Sequence, residues 1–595
     1  MANVLTKDQL VARLQSNESK ADLDLKGIHL PKASLQGARL VGLDFTGASF
    51  AGADLSEADL TDANLSGVDL TGARLSQAVL HRTKFHKTQL KGANLDGADL
   101  KSAELDGTAA EGVQLAQARA PGIVCKGASF RGARIEGTDF AGADFEQCDF
   151  SGASLGRSTL SDAVFKGCRF NDASVAESQG KGASFVSCDF HGVQLERGEY
   201  ANSHWRECGF AQCVANGTAF PKGRFFACDF SGARLAACNF DEAAFEGVKF
   251  ERANLQGSSM RCACLEGAVA TEVNLTAVHA QGASFYDATM EKAVLSGADL
   301  SFSNLSGVNL RGADLSGANL TGAEVRGAFL QGAQGVKANL AQADLSWSDL
   351  RGVQLSQLEG SAPVASGAEF TGAVLKHCRL PGIVLSGSDL SKASIEDCDL
   401  SQGKADQVDL RGAQLLRVDL RQTSLSGVNA EGANLTQVMS DSPLGGVSGG
   451  GLPYSAHHSQ QAAQHPVTPT MPMAANPPPA PAPAKSNIWR GPPPVTGPLW
   501  LSLLFGPGVL MGVYALMERP LLPEPLKTQV FAIALLASAV FLLLSWFWSA
   551  GAYAGERARG GPSGALSTFF AVSVISIIGI AASTAGLIYW RVMMQ

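Results

Sequence analysis

The chain has 595 residues, with 66 glycines, 7% aromatic and 17% charged residues and a formal net charge of −8, a composition that points to a periodic architecture rather than a string of enzyme folds. The charge is unevenly placed: residues 441–595 hold seven basic and four acidic side chains, which leaves 40 basic and 51 acidic in residues 1–440, a net −11. A mildly acidic body of this kind excludes the basic type of nucleic-acid-binding surface.

The opening segment, 1–20, reads "MANVLTKDQLVARLQSNESK". It lacks the apolar core of a secretory signal and predicts a short helix: Thr6 and Gln9 have capping-box spacing, and Leu10, Val11 and Leu14 form one apolar stripe. Such a helix is placed to cap one end of the repeated region that begins at residue 21. With no export signal, the twelve cysteines, all between Cys125 and Cys398, read as free thiols rather than a disulfide framework.

Residues 21–439 repeat. From Leu25 to Leu435 every fifth residue gives 83 positions in unbroken register, 71 of them large and apolar, the other twelve Ala, Gly or Cys. Two residues before each, from Ile28 to Val438, stands nearly always Ala, Cys, Ser, Thr, Val, Gly or Ile, with Leu43, Leu358 and Pro363 as departures. A period of five fits neither a helix nor a strand, so each unit needs a turn that buries one large and one small side chain. Column identity persists at a step of twenty: Phe130, Phe150, Phe170, Phe190, Phe210, Phe230 and Phe250 form one series, and Phe145, Phe165, Phe185, Trp205, Phe225 and Phe245 a second. Four units therefore make one coil. Weak spots are expected where the large residue is missing, around Ala110–Ala120, Gly180, Gly335 and Gly360–Ala365.

The unit A(D/N)LxG, plain in "GADLSGANLTGAEVRGAFLQGA" at 312–333, resembles the pentapeptide-repeat family. That resemblance implies a mainly β fold, a right-handed quadrilateral β-helix. At a strand spacing of about 4.8 Å, roughly twenty coils make a rod on the order of 100 Å long, stabilised coil against coil.

Cys148, Cys168, Cys188, Cys208 and Cys228 occupy the small inward position, where a free cysteine packs as a small hydrophobe. Parallel thiols do not converge as zinc ligands must, so neither metal nor cofactor is expected. His29, His81, His86, His191, His204, His279 and His377 are scattered without consistent partner spacing. Asp54, Asp59 and Asp69 belong to a recurrent outward position that reads as a solvated face. No phosphate loop, zinc-protease motif or nucleophile elbow is present, so neither an enzyme nor a small-molecule substrate is expected.

Residues 440–497, with "GGVSGGG" and "NPPPAPAPAK", predict a disordered linker. Residues 498–517, 530–550 and 566–590 then contain no Asp, Glu, Lys or Arg over 20, 21 and 25 positions, long enough for three transmembrane helices. Trp500, Trp546, Trp548, Tyr589 and Trp590 lie near their ends, where amphipathic rings favour the interface. Basic residues barely bias the orientation; the unsignalled N-terminal rod is expected to stay in the cytoplasm, with the chain embedded in a bacterial inner membrane.

Three functional classes fit. The first is a non-enzymatic, membrane-anchored scaffold for protein partners. The second is an effector or accessory of a bacterial secretion system of the type VI kind, which members resembling this one include, its C-terminal helices inserting in a membrane. The third is the DNA-mimic role of members that bind topoisomerase. Those are shorter and dimerise through a C-terminal module replaced here, and −11 over 440 residues is dilute.

Overall fold

The computed structural model describes residues 6–16 and 18–442. Its first element is α1 (Lys7–Gln15), opened by a capping box in which the Thr6 hydroxyl accepts from the Gln9 amide while the Gln9 side chain accepts from the Thr6 amide. Leu14 is fully buried, and Leu10 and Val11 pack against the same core. Lys7 Nζ donates to the Pro31 carbonyl at 2.8 Å and Gln15 Nε2 to that of Ser34 at 2.9 Å, so the helix is joined to the first coil by both apolar and polar contacts.

Beyond the helix, parallel pairing runs at a constant step of twenty residues, from His29 with Ser49 to Asp419 with Met439. Two faces widen into three-residue strands. One sheet holds β1 (Val124–Lys126), β2 (Asp144–Glu146), β3 (Val164–Lys166), β4 (Ser184–Val186), β5 (His204–Arg206), β6 (Arg224–Phe226) and β7 (Ala244–Glu246), stacked in that order. The other holds β8 (Gln334–Val336), β9 (Gln354–Ser356), β10 (Val374–Lys376), β11 (Ser394–Glu396), β12 (Gln414–Leu416) and β13 (Asn434–Thr436).

Each five-residue unit solves the same backbone problem. The amide of the large residue donates to the next coil, as Leu30 does to Ser49 at 2.8 Å, and the outward residue before it donates to the preceding coil, as Ser49 does to Ile28 at 2.8 Å. The small residue's amide closes the turn, Ala53 to Phe50 at 2.9 Å. The turn requires a left-handed residue: every fifth position from Gly27 to Gln437 has φ between +50° and +76°. Only Gly adopts this without steric cost, and about half of these positions hold it.

One amide per unit, that of the first turn residue, is left over, and the Asp or Asn preceding the large residue takes it. Asp54 Oδ1 accepts from the Ser56 amide at 3.1 Å, Asp59 from Thr61 at 3.1 Å and Asp69 from Thr71 at 3.0 Å. This corrects the reading of Asp54, Asp59 and Asp69 as a merely solvated face: each carboxylate is an Asx cap on its own corner. The Thr71 amide and hydroxyl hold the Asp69 carboxyl below the usual carboxylate range.

Where the large residue is missing, the neighbouring coil responds. The Tyr200 ring fills the space beside Gly180, where an added Cβ would lie 2.4 Å from it. Leu355 does the same beside Gly335, at 2.9 Å. The departure at Leu358 places a fully buried leucine two residues before Gly360. Compensation is incomplete there, leaving an apolar cavity of about 30 Å³ lined by Leu340, Leu358 and Ala365. A second of about 10 Å³ lies beside Ala270, outside the expected weak spots.

The predicted linker from residue 443 on and the three predicted spans lie outside the described residues. Among the described residues no helix is long and apolar enough to cross a membrane.

Candidate interaction surface

The two aromatic series lie inside and form the wall behind the surface. Ring centroids are 5.0 Å apart for Phe130 and Phe150, 5.0 Å for Phe150 and Phe170, 4.8 Å for Phe170 and Phe190, 4.9 Å for Phe190 and Phe210, 4.5 Å for Phe210 and Phe230, and 5.2 Å for Phe230 and Phe250. The second series stacks alongside, 4.9 Å from Phe145 to Phe165 and 4.0 Å from Phe185 to Trp205. The two series meet edge to face, with Phe145 and Phe150 at 5.3 Å and 79°, the geometry that aromatic quadrupoles prefer.

Cys148, Cys168, Cys188, Cys208 and Cys228 are buried free thiols. Each donates to the carbonyl twenty-three residues earlier: Cys148 to Cys125 at 3.3 Å, Cys168 to Phe145 at 3.6 Å, Cys188 to Phe165 at 3.4 Å, Cys208 to Phe185 at 3.5 Å and Cys228 to Trp205 at 3.4 Å. Thr88 and Thr138 hydroxyls make the same bond elsewhere, to Leu65 and Leu115. The cysteines therefore serve as any small inward residue with a weak donor would. Burial pushes the Cys213 and Cys238 thiols up to about 12, so they stay protonated at neutral pH.

The outward positions carry the chemistry available to a partner. Ion pairs run between coils: Arg82 with Asp62 at 2.7 Å, Lys126 with Glu146 at 2.9 Å, Arg197 with Glu177 at 2.6 Å and Arg252 with Glu272 at 3.0 Å. Exposed pairs of this sort each add under about 1 kcal/mol; together they engage about half of the lysines and arginines among the described residues. Three histidines also face carboxylates one coil on, His81 with Asp99 at 3.1 Å, His86 with Glu104 at 2.9 Å and His377 with Asp397 at 3.4 Å. Sequence reading missed these partners because their offsets, eighteen or twenty residues, have meaning only once the coil length is applied to side chains. Phe302 and Trp347, exposed by 69% and 75%, sit at left-handed corners and lie over Gly322 and Gly367 of the next coil. Among the described residues no group of three or more His, Cys, Asp or Glu side chains is placed to hold a metal ion.

A family model described as "Pentapeptide repeats" matches residues 28–67, 63–101, 228–267, 258–297, 274–312, 293–332, 313–352, 368–403 and 406–438. A second model of the same description matches residues 120–174. Among solved structures, HetL, a pentapeptide repeat protein involved in heterocyst differentiation regulation from the cyanobacterium Nostoc sp. strain PCC 7120, is 19% identical over 45% of this chain and 91% of its own, with a TM-score of 0.15. QnrB1, a plasmid-mediated fluoroquinolone resistance protein, is 20% identical over 36% of this chain and 91% of its own, with a TM-score of 0.18. Rfr23, from the cyanobacterium Cyanothece 51142, is 22% identical over 23% and 62%, with a TM-score of 0.12. No curated protein sequence matches the chain.

Proposed function

The chain belongs to the pentapeptide-repeat family, and from that premise we propose that it is a non-enzymatic scaffold, anchored in a bacterial inner membrane by residues 498–517, 530–550 and 566–590, whose cytoplasmic rod presents a fixed surface to protein partners. The observation that carries this reading is the unbroken pairing from His29 to Met439. Every coil's backbone is bonded to its neighbours, so outward side chains recur on four faces at a set spacing of about 4.8 Å. A surface so regular suits recognition of extended partners, and the uncharged C-terminal stretches suit attachment to a membrane.

The test is affinity capture of the full chain from its own membranes, with mass spectrometry of what accompanies it. A reproducible set of proteins, enriched over an unrelated three-span membrane protein, is the expected result. Enrichment of nothing beyond that control would overturn the scaffold.

A further inference from the structure

About half of the lysines and arginines among the described residues make ion pairs; of the rest, two arginines lie side by side on one face. On β5 and β6 the outward side chains are His204 and Arg206, then Arg224 and Phe226, all exposed. The register sets His204 against Arg224 and Arg206 against Phe226. The neighbours of the His204–Arg224 pair on the flanking strands are Ser184 and Ala244, so no carboxylate abuts it. Neither Arg206 nor Arg224 makes a salt bridge among the described residues, while the Arg206 guanidinium lies 4.9 Å from the Phe226 ring centroid, a contact that fixes its direction. The carboxylate next along the chain from Arg206, that of Glu207, accepts from Ser187 Oγ at 3.0 Å and forms no salt bridge with either arginine.

We propose that the outward face of β5 and β6 is a recognition site for a short acidic segment of a partner protein, its carboxylates bound by Arg206 and Arg224 with His204 beside them. Arginine's planar fork takes a carboxylate through two parallel hydrogen bonds, and arginine clusters are a recurrent means of reading acidic motifs. The occupant is short because the basic run is bounded: Glu242 and Glu246 lie beyond it on one side, with Lys222 already 3.6 Å from Glu242, and Asp144 and Glu146 on the other. A long polyanion such as duplex nucleic acid, or an anionic membrane, would meet those carboxylates at both ends. The inference rests on the scaffold reading of the rod and names one of its binding surfaces.

The experiment measures binding of a fluorescein-labelled octaglutamate peptide to the full chain in detergent, by anisotropy at low salt. The unmodified protein is compared with the double variant Arg206→Gln, Arg224→Gln and with Arg234→Gln, an exposed arginine on another face. The double variant should bind at least about tenfold more weakly, with Arg234→Gln unchanged and all three giving the same circular dichroism. No binding by the unmodified protein, equal binding by all three, tighter binding of a short duplex DNA, or displacement by inorganic phosphate as readily as by unlabelled peptide would overturn the site. If the double variant binds the peptide normally yet membrane proteins are still captured by it, the site fails and the scaffold stands. If nothing is captured by any form, the scaffold fails whatever the peptide does.

Discussion

Replacing Phe190 by alanine should destabilise the coils around it by about 3–5 kcal/mol. Phe190 is 1% exposed and stacked at 4.8 Å on Phe170 and 4.9 Å on Phe210. It also meets Phe185 and Trp205 edge to face, both at 5.4 Å. Removing the ring empties a site that four aromatic neighbours define and that the hydrogen-bonded backbone keeps from collapsing. Asp189→Ala, one residue away, should cost only about 0.5–1.5 kcal/mol, since it removes an acceptor for the His191 amide at 3.0 Å and for Asn171 Nδ2 at 2.7 Å. Because coils are stabilised by their neighbours, the loss should appear in hydrogen exchange as faster opening of the coils flanking residue 190. Small and equal losses for the two variants would contradict stacking at a step of twenty.

Cutting the chain near residue 440 should separate two materials. Residues 1–440 should be soluble without detergent, β-rich by circular dichroism and elongated in solution scattering, because the buried columns from Leu25 to Val438 close on one another and only scattered outward positions, such as Phe302 and Trp347, are apolar. Residues 490–595 should require detergent if the three uncharged stretches of 20, 21 and 25 residues are the proposed spans. A first fragment that precipitates, or scatters as a compact globule, would contradict the rod; a second that stays monomeric in plain buffer would contradict the spans.

Much of the fold was legible because this architecture is nearly one-dimensional. The twenty-residue step visible in Cys148–Phe150 and its successors is the step of the β-pairing, and the large and small positions of the five-residue unit are the buried ones. Thr6 and Gln9 announced their capping box. What escaped the sequence concerns contacts between coils that break the pattern. Tyr200 looks like any large residue until its ring is seen to occupy the space beside Gly180, with its buried hydroxyl unpartnered. Asp54 looks like surface decoration until the leftover Ser56 amide is counted. Left-handed corners at Phe302 and Trp347 could not be read from residue type, which there opposes the backbone conformation. For the candidate surface, the unpaired state of Arg206 and Arg224 depends on which residues flank them twenty positions away, and only the register supplies that.

The central claim, a resident rod anchored from the cytoplasmic side, is tested most directly by topology in intact cells. With the native cysteines masked or replaced, a membrane-impermeant thiol label should miss a cysteine at Ser486 and reach one placed after Met594, as the three proposed spans would put the two ends on opposite sides of the membrane with the rod inside. Labelling of both reporters, or of neither, would mean that one span is miscounted, with the segment containing Pro507 the first to suspect. Recovery of the intact protein outside its producing cell, in a manner abolished when the secretion machinery is disabled, would contradict the anchored scaffold outright and identify an exported effector instead.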